Sequence, residues 1–304
     1  MTIVAGFVND NGVLLCSDTL VGNETAATYR PKILPVIFGD GRALIGFSGV
    51  EAFAHSTVER IRLSLNEYHG KPRSIGQIAE NVRKVWLKAF REQHRGSDLS
   101  YDQIMAAIWS DIDKDVGLYC TTNSSFAQSA SHVECIGAGD VLARYLIGSG
   151  AAGVHVAERL AFERGIRALG IVKAFMPGSV GGNLVAVNIN KAGSVKLYGA
   201  MDVSHIETFT LELDNRSRKL CSAFASISDN DPMINELEKF LVSLGDMRKQ
   251  WRKERRGVKD YAASETRDIW RAFKQADQPY PQYPTIDPIP QPPSPESPEG
   301  SGES

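Results

Sequence analysis

The sequence is poor in cysteine, has no excess of charge of either sign and contains no long apolar run. Its 304 residues include 34 Lys and Arg against 36 Asp and Glu, a net charge of −2. The chain contains no stretch of about 18 apolar residues, the length needed to span a bilayer. No basic segment precedes an apolar one at the start of the chain, as it would in a secretory signal. The near-neutral charge provides no general electrostatic basis for binding nucleic acid or a membrane surface. We therefore expect neither partner.

The four cysteines are scattered along the chain and form no Cys-x-x-Cys pair. This pattern is typical of reduced thiols in a cytoplasmic protein and not of a disulfide framework. The six histidines never lie at the spacing of metal ligands, so we expect no metal and no other cofactor. The apolar share of 42% is sufficient for a buried core, which predicts a globular cytoplasmic protein.

Proline and charge divide the chain into three parts. Nine of the 14 prolines lie between Pro279 and Pro298, and the last 20 residues contain four acids and no Lys or Arg. This composition predicts a disordered acidic tail over 279–304. Before it, residues 248–259 hold seven basic residues and one acid, which predicts a helix with either a solvated face or a docking surface for an acidic partner. We therefore assign 1–204 to one domain and 205–278 to a helical C-terminal extension.

Groups of strands alternate with pairs of helices over the first 204 residues. β-Branched segments on either side of the turn at 9–12, and a second pair around 39–41, predict four strands before residue 50. Apolar residues at i, i+3 and i+4 then predict helices over 50–68 and 74–94, the second opening with a capping box at Ser74. Two or three strands, helices over 140–147 and 154–170, and two strands follow. Hairpins form antiparallel sheets and helix pairs cover a sheet face, so the order predicts an α+β fold, a four-layer αββα sandwich.

Four features stand out in the first fifty residues: Thr2, which becomes the first residue when the initiator methionine is lost, the hairpin ending at 17–19, Lys32, and the segment 45–49 ahead of a helix. Together they resemble the proteasome β-subunit group of the N-terminal nucleophile hydrolases. The resemblance extends less specifically to about residue 200 and includes the glycine corner at 135–139. The group includes the bacterial ATP-dependent proteasome-like peptidase and smaller bacterial proteasome homologues. The resemblance implies the αββα fold and a threonine-type peptidase.

The same resemblance implies a catalytic role for each matching residue. Thr2 would supply the nucleophilic hydroxyl and an α-amine, whose ordinary pKa of roughly 7.7–8 suits it to accept the hydroxyl proton. Lys32 would lower the pKa of that hydroxyl by its charge, with Asp18 paired to Lys32, and Gly49 would offer its N–H to the oxyanion. The family implies peptide or unfolded-protein substrates and assembly of the chain with itself into a ring or a helical stack. It leaves an ATPase partner open.

The sequence departs from the family in a second set of polar residues. Active members have a Ser in the glycine corner, where this chain has Ala138, and an Asp-x-x-Ser pair ahead of a Gly-Gly step, here 181–182. The expected Asp falls near Pro177 and the expected Ser near Val180, with Ser179 as the candidate auxiliary residue after a slip of one position. Three alternatives follow: a threonine peptidase, a catalytically silent proteasome-like scaffold subunit, and an amidase acting on a small non-peptide amide.

Overall fold

The computed structural model describes residues 2–23, 26–68, 70–94, 102–122, 125–148, 156–226, 235, 237–246 and 249. These residues form twelve strands, five helices and a further helical segment at 237–246. The strands are β1 (Ile3–Asn9), β2 (Gly12–Asp18), β3 (Leu20–Asn23), β4 (Ala26–Tyr29), β5 (Ile33–Phe38), β6 (Gly41–Ser48), β7 (Gln103–Ser110), β8 (Asp115–Thr122), β9 (Ser125–Gln128), β10 (Val133–Gly137), β11 (Leu184–Asn190) and β12 (Val195–Leu197). Apart from residue 249, the predicted basic helix at 248–259 and the predicted tail at 279–304 lie outside the described residues.

The helices are α1 (Glu51–Asn66), α2 (Ile75–Gln93), α3 (Asp140–Gly148), α4 (Glu158–Phe175) and α5 (Ala200–Ser226). The capping box predicted at the start of α2 is confirmed, since the Ser74 side chain accepts the Gln77 N–H and the Gln77 side chain accepts the Ser74 N–H. Both exchanges satisfy amides that have no partner within the helix. Among the described helices, none combines the length and the apolar composition needed to cross a membrane.

The strands form two five-stranded antiparallel sheets and one separate hairpin. The first sheet has the order β10-β1-β2-β11-β12, the second has the order β5-β6-β7-β8-β9, and β3 pairs only with β4. In the first sheet, β1 is hydrogen-bonded to β2 on one side and to β10 on the other. The N-terminal strand therefore lies inside a sheet and not at its edge.

Alternate residues of β1 enter two different apolar clusters, because successive side chains of a strand point to opposite faces. Ile3 belongs to a cluster with α3, α4 and α5, whereas Val4 belongs to one formed by residues of both sheets. A third cluster joins α1 and α2 to the second sheet. The backbones approach closely in the cluster shared by both sheets, since a Cβ added at Gly46 would lie 2.7 Å from Cγ1 of Val4. The protein is thus a mixed α/β structure with two antiparallel sheets.

Two elements differ from the sequence prediction. The structure has six strands before α1 where four were predicted, because the hairpin β3–β4 is short and shows no apolar alternation. Helix α4 was predicted to end at Gly170 but continues to Phe175. A Cβ at Gly170 would lie 3.4 Å from Cγ of Glu207. This glycine therefore marks the place where α5 packs against α4 and not a helix end.

Helix α5 spans the predicted domain boundary at residue 204. Val203 and Ile206 are buried in the cluster that covers the first sheet. The Lys173 ammonium of α4 lies 2.8 Å from Oε1 of Glu207 of α5. The first turns of the predicted extension therefore pack on the domain that precedes them, and the division into 1–204 and 205–278 stays a prediction.

Candidate active site

The carboxylate of Asp18, at the end of β2, joins three segments of the chain. Its Oδ1 accepts the Lys32 ammonium at 2.9 Å and the Ile3 N–H at 3.1 Å, and its Oδ2 accepts the Gly181 N–H at 3.1 Å. The residue is fully buried. Three donors compensate for the loss of water around this anion. One carboxylate thereby fixes the start of β1, the start of β5 and the glycine step after α4.

Lys32 is a fully buried cation at the start of β5. Burial lowers the pKa of its ammonium below the ordinary value, while the charge and hydrogen bond of Asp18 and the charge of Glu51 oppose that decrease. Its backbone carbonyl accepts the Phe47 N–H at 3.1 Å, which ties it to β6. The ammonium and the amide that follows Thr2 share one oxygen of Asp18, so the cation lies at the Thr2 end of β1.

Thr2 is buried and is held through its backbone by the glycine corner. The Ala138 N–H donates to the Thr2 carbonyl at 2.9 Å. Gly137 has φ +102°, and a Cβ on it would lie 2.0 Å from the backbone carbonyl oxygen of Thr2. Only glycine fits this left-handed, closely packed position. The main chain of Thr2 is thus held at its carbonyl by the corner and, one residue later, by Asp18.

Gly49 lies in the turn between β6 and α1. It has φ +115°, and a Cβ on it would overlap Oδ1 of Asp102 at 1.9 Å. The next amide, that of Val50, donates to the same Oδ1 at 2.6 Å. Glycine is required here by both backbone conformation and space, and its role as an oxyanion donor stays a prediction.

The segment after α4 has aliphatic character where members of the group that the first fifty residues resemble have polar side chains. Val180 is fully buried in the cluster that covers the first sheet, and a Cβ at Gly139 would lie 3.7 Å from its Cγ2. Pro177 is exposed. Ser179 is half-buried, and its N–H donates to the Met176 carbonyl at 2.9 Å. Its function as an auxiliary residue stays a prediction.

A second charged group near Lys32 was not singled out from the sequence. Oε1 of Glu51 lies 3.4 Å from Nη1 of Arg30 and 3.6 Å from Nε2 of His55. Burial lowers the pKa of His55, the charge of Glu51 opposes this, and the charge of Arg30 lowers the pKa further. The i, i+4 spacing of Glu51 and His55 in the first turns of α1 was the available signal.

Other nucleophiles and metal ligands are less suited to chemistry. Burial raises the pKa of the Cys16 thiol far above its ordinary value, that of Cys120 to about 11 and that of Cys135 to about 12. These thiols stay protonated at neutral pH and are poor nucleophiles. Within the described ranges, no three His, Cys, Asp or Glu side chains are grouped so that they could hold a metal ion.

Comparison with known proteins finds similarity in three dimensions but not in sequence. No family model and no curated protein matches the chain. A Gly-1 mutant of Anbu from Hyphomicrobium sp. strain MC1 superposes with a TM-score of 0.59 at 12% identity, covering 76% of this chain and 100% of that chain. The fold of this chain is similar to that of Anbu. Anbu from Yersinia bercovieri, described as an ancestral beta-subunit, has the same TM-score and identity and is covered to 99%.

A further Anbu structure from Hyphomicrobium gives a TM-score of 0.55 at 14% identity and is covered completely, again by 76% of this chain. Identities this low show the fold alone. The protein therefore has a fold similar to that of Anbu. The resemblance inferred from the first fifty residues is confirmed at the level of the fold.

Proposed function

We propose that this Anbu-like protein is a threonine-type N-terminal nucleophile hydrolase that cleaves peptide bonds. The observation that supports it best is the Asp18 carboxylate, which binds both the Lys32 ammonium and the amide directly after Thr2. A fully buried ion pair contributes little net stability, because taking both charges out of water costs about as much as their attraction returns. Its position beside a threonine is suited to catalysis.

In this proposal, removal of Met1 frees the α-amine of Thr2. The neutral amine takes the hydroxyl proton while Oγ attacks the substrate carbonyl, with the Lys32 charge stabilising the developing alkoxide. The Gly49 N–H donates to the oxyanion of the tetrahedral intermediate. The protonated amine then gives its proton to the departing amine, leaving an acyl ester on Thr2. A water molecule, activated by the same amine, hydrolyses that ester and restores the hydroxyl.

The finer features predicted from the sequence belong to this proposal. The three apolar clusters support the four-layer αββα arrangement, since one lies between the sheets and the others join helices to each sheet. We also propose a cytoplasmic homo-oligomer, either a ring or a helical stack, acting on peptides or unfolded proteins. An ATPase partner is left open.

A catalytically silent scaffold subunit is the second candidate, and one observation favours it. Val180 occupies a core position where active members have a serine near the α-amine. The corner residue Ala138 likewise offers only its backbone N–H, which donates to the Thr2 carbonyl. A poorly oriented α-amine would slow proton transfer from the hydroxyl.

The two candidates are separated by testing Thr2 directly. A peptide epoxyketone reacts with a hydroxyl and an amine on the same terminal residue, so the parent protein should form an adduct on Thr2 detectable as an intact-mass increase. Thr2→Ala should form none and should lose turnover of a fluorogenic peptide, because no hydroxyl remains to attack. Thr2→Ser keeps the hydroxyl and the amine and should form the adduct.

Serine, alanine and threonine are all small enough for the preceding methionine to be removed, so the three proteins are matched in processing. The same mass spectrum reports whether Met1 is absent. Complete removal of Met1 without any adduct would reject the hydrolase and leave the scaffold. Equal turnover by Thr2→Ala and the parent would reject Thr2 as the nucleophile.

A further inference from the structure

The turn that contains Gly49 is held by a carboxylate from a distant part of the chain. Oδ1 of Asp102 accepts the Val50 N–H at 2.6 Å, and the Gly49 Cα packs so closely on Asp102 that no Cβ would fit. Asp102 lies just before β7 and is 6% exposed. Since Val50 is the N-cap of α1, the anion also faces the positive end of that helix. This contact fixes the peptide plane between Gly49 and Val50. The preceding peptide, which carries the Gly49 N–H, is held between the Gly49 Cα packed on Asp102 and Ser48 paired with Gln103.

The other oxygen of Asp102 is held in turn. Nε2 of His94, at the end of α2, lies 2.8 Å from Oδ2 of Asp102. The imidazole packs against the rings of Phe53 and Phe90, with centroids 5.6 Å and 4.6 Å away. A ring confined by two aromatic neighbours has few alternative rotamers, so the carboxylate of Asp102 is restrained in rotation about its own side-chain bonds.

The residue after Asp102 binds the glycine corner. Oε1 of Gln103 accepts the Gly137 N–H at 3.0 Å, and Gly137 belongs to the corner that contacts the Thr2 carbonyl. Gln103 also pairs with Ser48 in the second sheet. Two consecutive residues thus hold the glycine corner, which contacts the Thr2 carbonyl, and the Gly49 turn, which carries the proposed oxyanion donor.

We propose that Asp102, restrained by His94, is a positioning residue that aims the Gly49 N–H at the carbonyl under attack. This inference rests on the proposed function, because it assigns a task to the oxyanion donor of that reaction. Asp102 acts through the backbone of the turn, so it alters the transition state and not substrate binding. Loss of one oxyanion donor typically lowers kcat by about 10²–10³-fold, and a turn left free to rotate should approach the lower figure.

The test compares two substitutions at Asp102 with one at a matched site. Asp102→Ala removes the acceptor of the Val50 N–H and should lower kcat by about 10²-fold while KM stays nearly constant. Asp102→Asn retains an acceptor oxygen and should keep most of the parental kcat. Asp40→Ala is the control, since Asp40 is a half-buried carboxylate that accepts a backbone N–H and a cationic side chain, both from Arg73. Asp40 lies at the end of β6 opposite to Gly49. Asp40→Ala should therefore leave the kcat of the folded protein unchanged.

His94→Leu provides a second variant in case Asp102→Ala does not fold. It preserves apolar packing against the two phenylalanines but removes the ring nitrogen, and it should lower kcat in the same direction by a smaller factor. Parental kcat in both Asp102→Ala and His94→Leu would overturn the inference. An equal loss of kcat in Asp102→Ala and Asp40→Ala would also overturn it, because the effect would then be one of general stability.

Amide hydrogen exchange separates this inference from the proposed function. Exchange in the peptide covering 46–54 should be faster in Asp102→Ala than in the parent and should be restored in Asp102→Asn, whether or not the protein turns over a substrate. A parent without turnover would reject the hydrolase, and the exchange data would still decide whether Asp102 holds the turn. Unchanged exchange in Asp102→Ala would overturn the positioning role.

Discussion

Both ends of strand β5 hold an ion pair, but the two pairs are built differently. At its start, the Lys32 ammonium lies 2.9 Å from Asp18, and both side chains are fully buried. Just beyond its end, two nitrogens of the Arg73 guanidinium bind Asp40 at 2.7 and 2.9 Å. The guanidinium also donates to the Leu65 carbonyl at 3.0 Å and lies 4.2 Å from the Tyr68 ring centroid. The arginine thus closes a loop onto the turn between β5 and β6.

The difference separates a structural contact from one suited to chemistry. A guanidinium keeps its proton at any physiological pH and binds a carboxylate through a planar fork. An ammonium is a compact charge whose pKa responds to its surroundings, and burial has lowered that of Lys32. Arg73, whose charge does not change with pH, holds a loop. Lys32, whose pKa depends on its surroundings, lies next to Thr2.

The largest effect is expected from exchanging the two cations. Lys32→Arg should lower turnover by about 10³-fold, the order of losing an electrostatic contact made in the transition state, because a planar fork cannot place its charge as the ammonium does. Arg73→Lys is the mirror substitution and should leave the turnover of the folded protein at the parental level. Steady-state kinetics on both variants checks this, and an active Lys32→Arg would remove the catalytic role of Lys32.

A smaller effect, on stability alone, is expected at the Arg73 end. Asp40→Ala leaves a guanidinium buried without its partner and should lower the free energy of unfolding by about 3–5 kcal/mol. Asp111→Ala is the control, since Asp111 pairs with Lys114 on the surface with both side chains more than half exposed, a class of pair worth about 0–1 kcal/mol. Urea titrations of the three proteins measure the difference. Equal midpoints for Asp40→Ala and the parent would contradict the structural role.

The smallest effect is expected from lowering the pH. The free energy of unfolding should fall in two different pH ranges, one set by Asp40 and one by His55. Hydrogen bonds from Arg73 lower the pKa of Asp40 below 3.8, so their stabilisation is complete above that pH and is lost as the pH falls through the folded-state pKa. Burial lowers the pKa of His55 below 6.5, so the folded state favours the neutral imidazole. Stability is therefore lost as the pH falls from about 6.5 to the folded-state pKa of His55. His55→Gln should therefore lose less stability than the parent between neutral pH and the His55 transition.

Asp40→Asn lacks the titrating carboxylate, so it should be less stable than the parent at neutral pH and should not show the parent's further loss of stability below about pH 4. Thermal melts at half-unit pH intervals would measure both variants against the parent. Identical pH dependence in His55→Gln and the parent would show that protonation of the imidazole costs the folded state nothing.

Local patterns were sufficient to predict most elements of the fold. Apolar alternation located β1, β2, β5 and β6, and helical spacing located α1 and α2 to within about two residues at most ends. The hairpin β3–β4 was missed because its eight residues contain no apolar alternation. The predicted end of α4 at Gly170 is wrong, because the helix continues to Phe175. This glycine lies where α5 packs against α4.

The site was predictable only where a family resemblance pointed to it. Asp18 and Lys32 were nominated in this way, and the structure brings them into contact across 14 positions. Asp102 and His94 were not predicted as site residues. The contact from Asp102 to the Gly49 turn joins residues 52 positions apart and produces no periodic pattern in the sequence. The conformation of Gly49 is likewise a property of its neighbours in space. Pairing between distant residues is what a single sequence does not display.

Chain ends usually fray before the rest of a domain, since nothing pairs with them on at least one side. Here the terminal strand has β2 on one flank and β10 on the other. Releasing β1, the strand that directly follows Thr2, therefore requires breaking two ladders at once, and the Thr2 carbonyl is itself held by the Ala138 N–H. Heating should not produce a folded form with a loosened N-terminus. Loss of the site and loss of the first sheet become a single event.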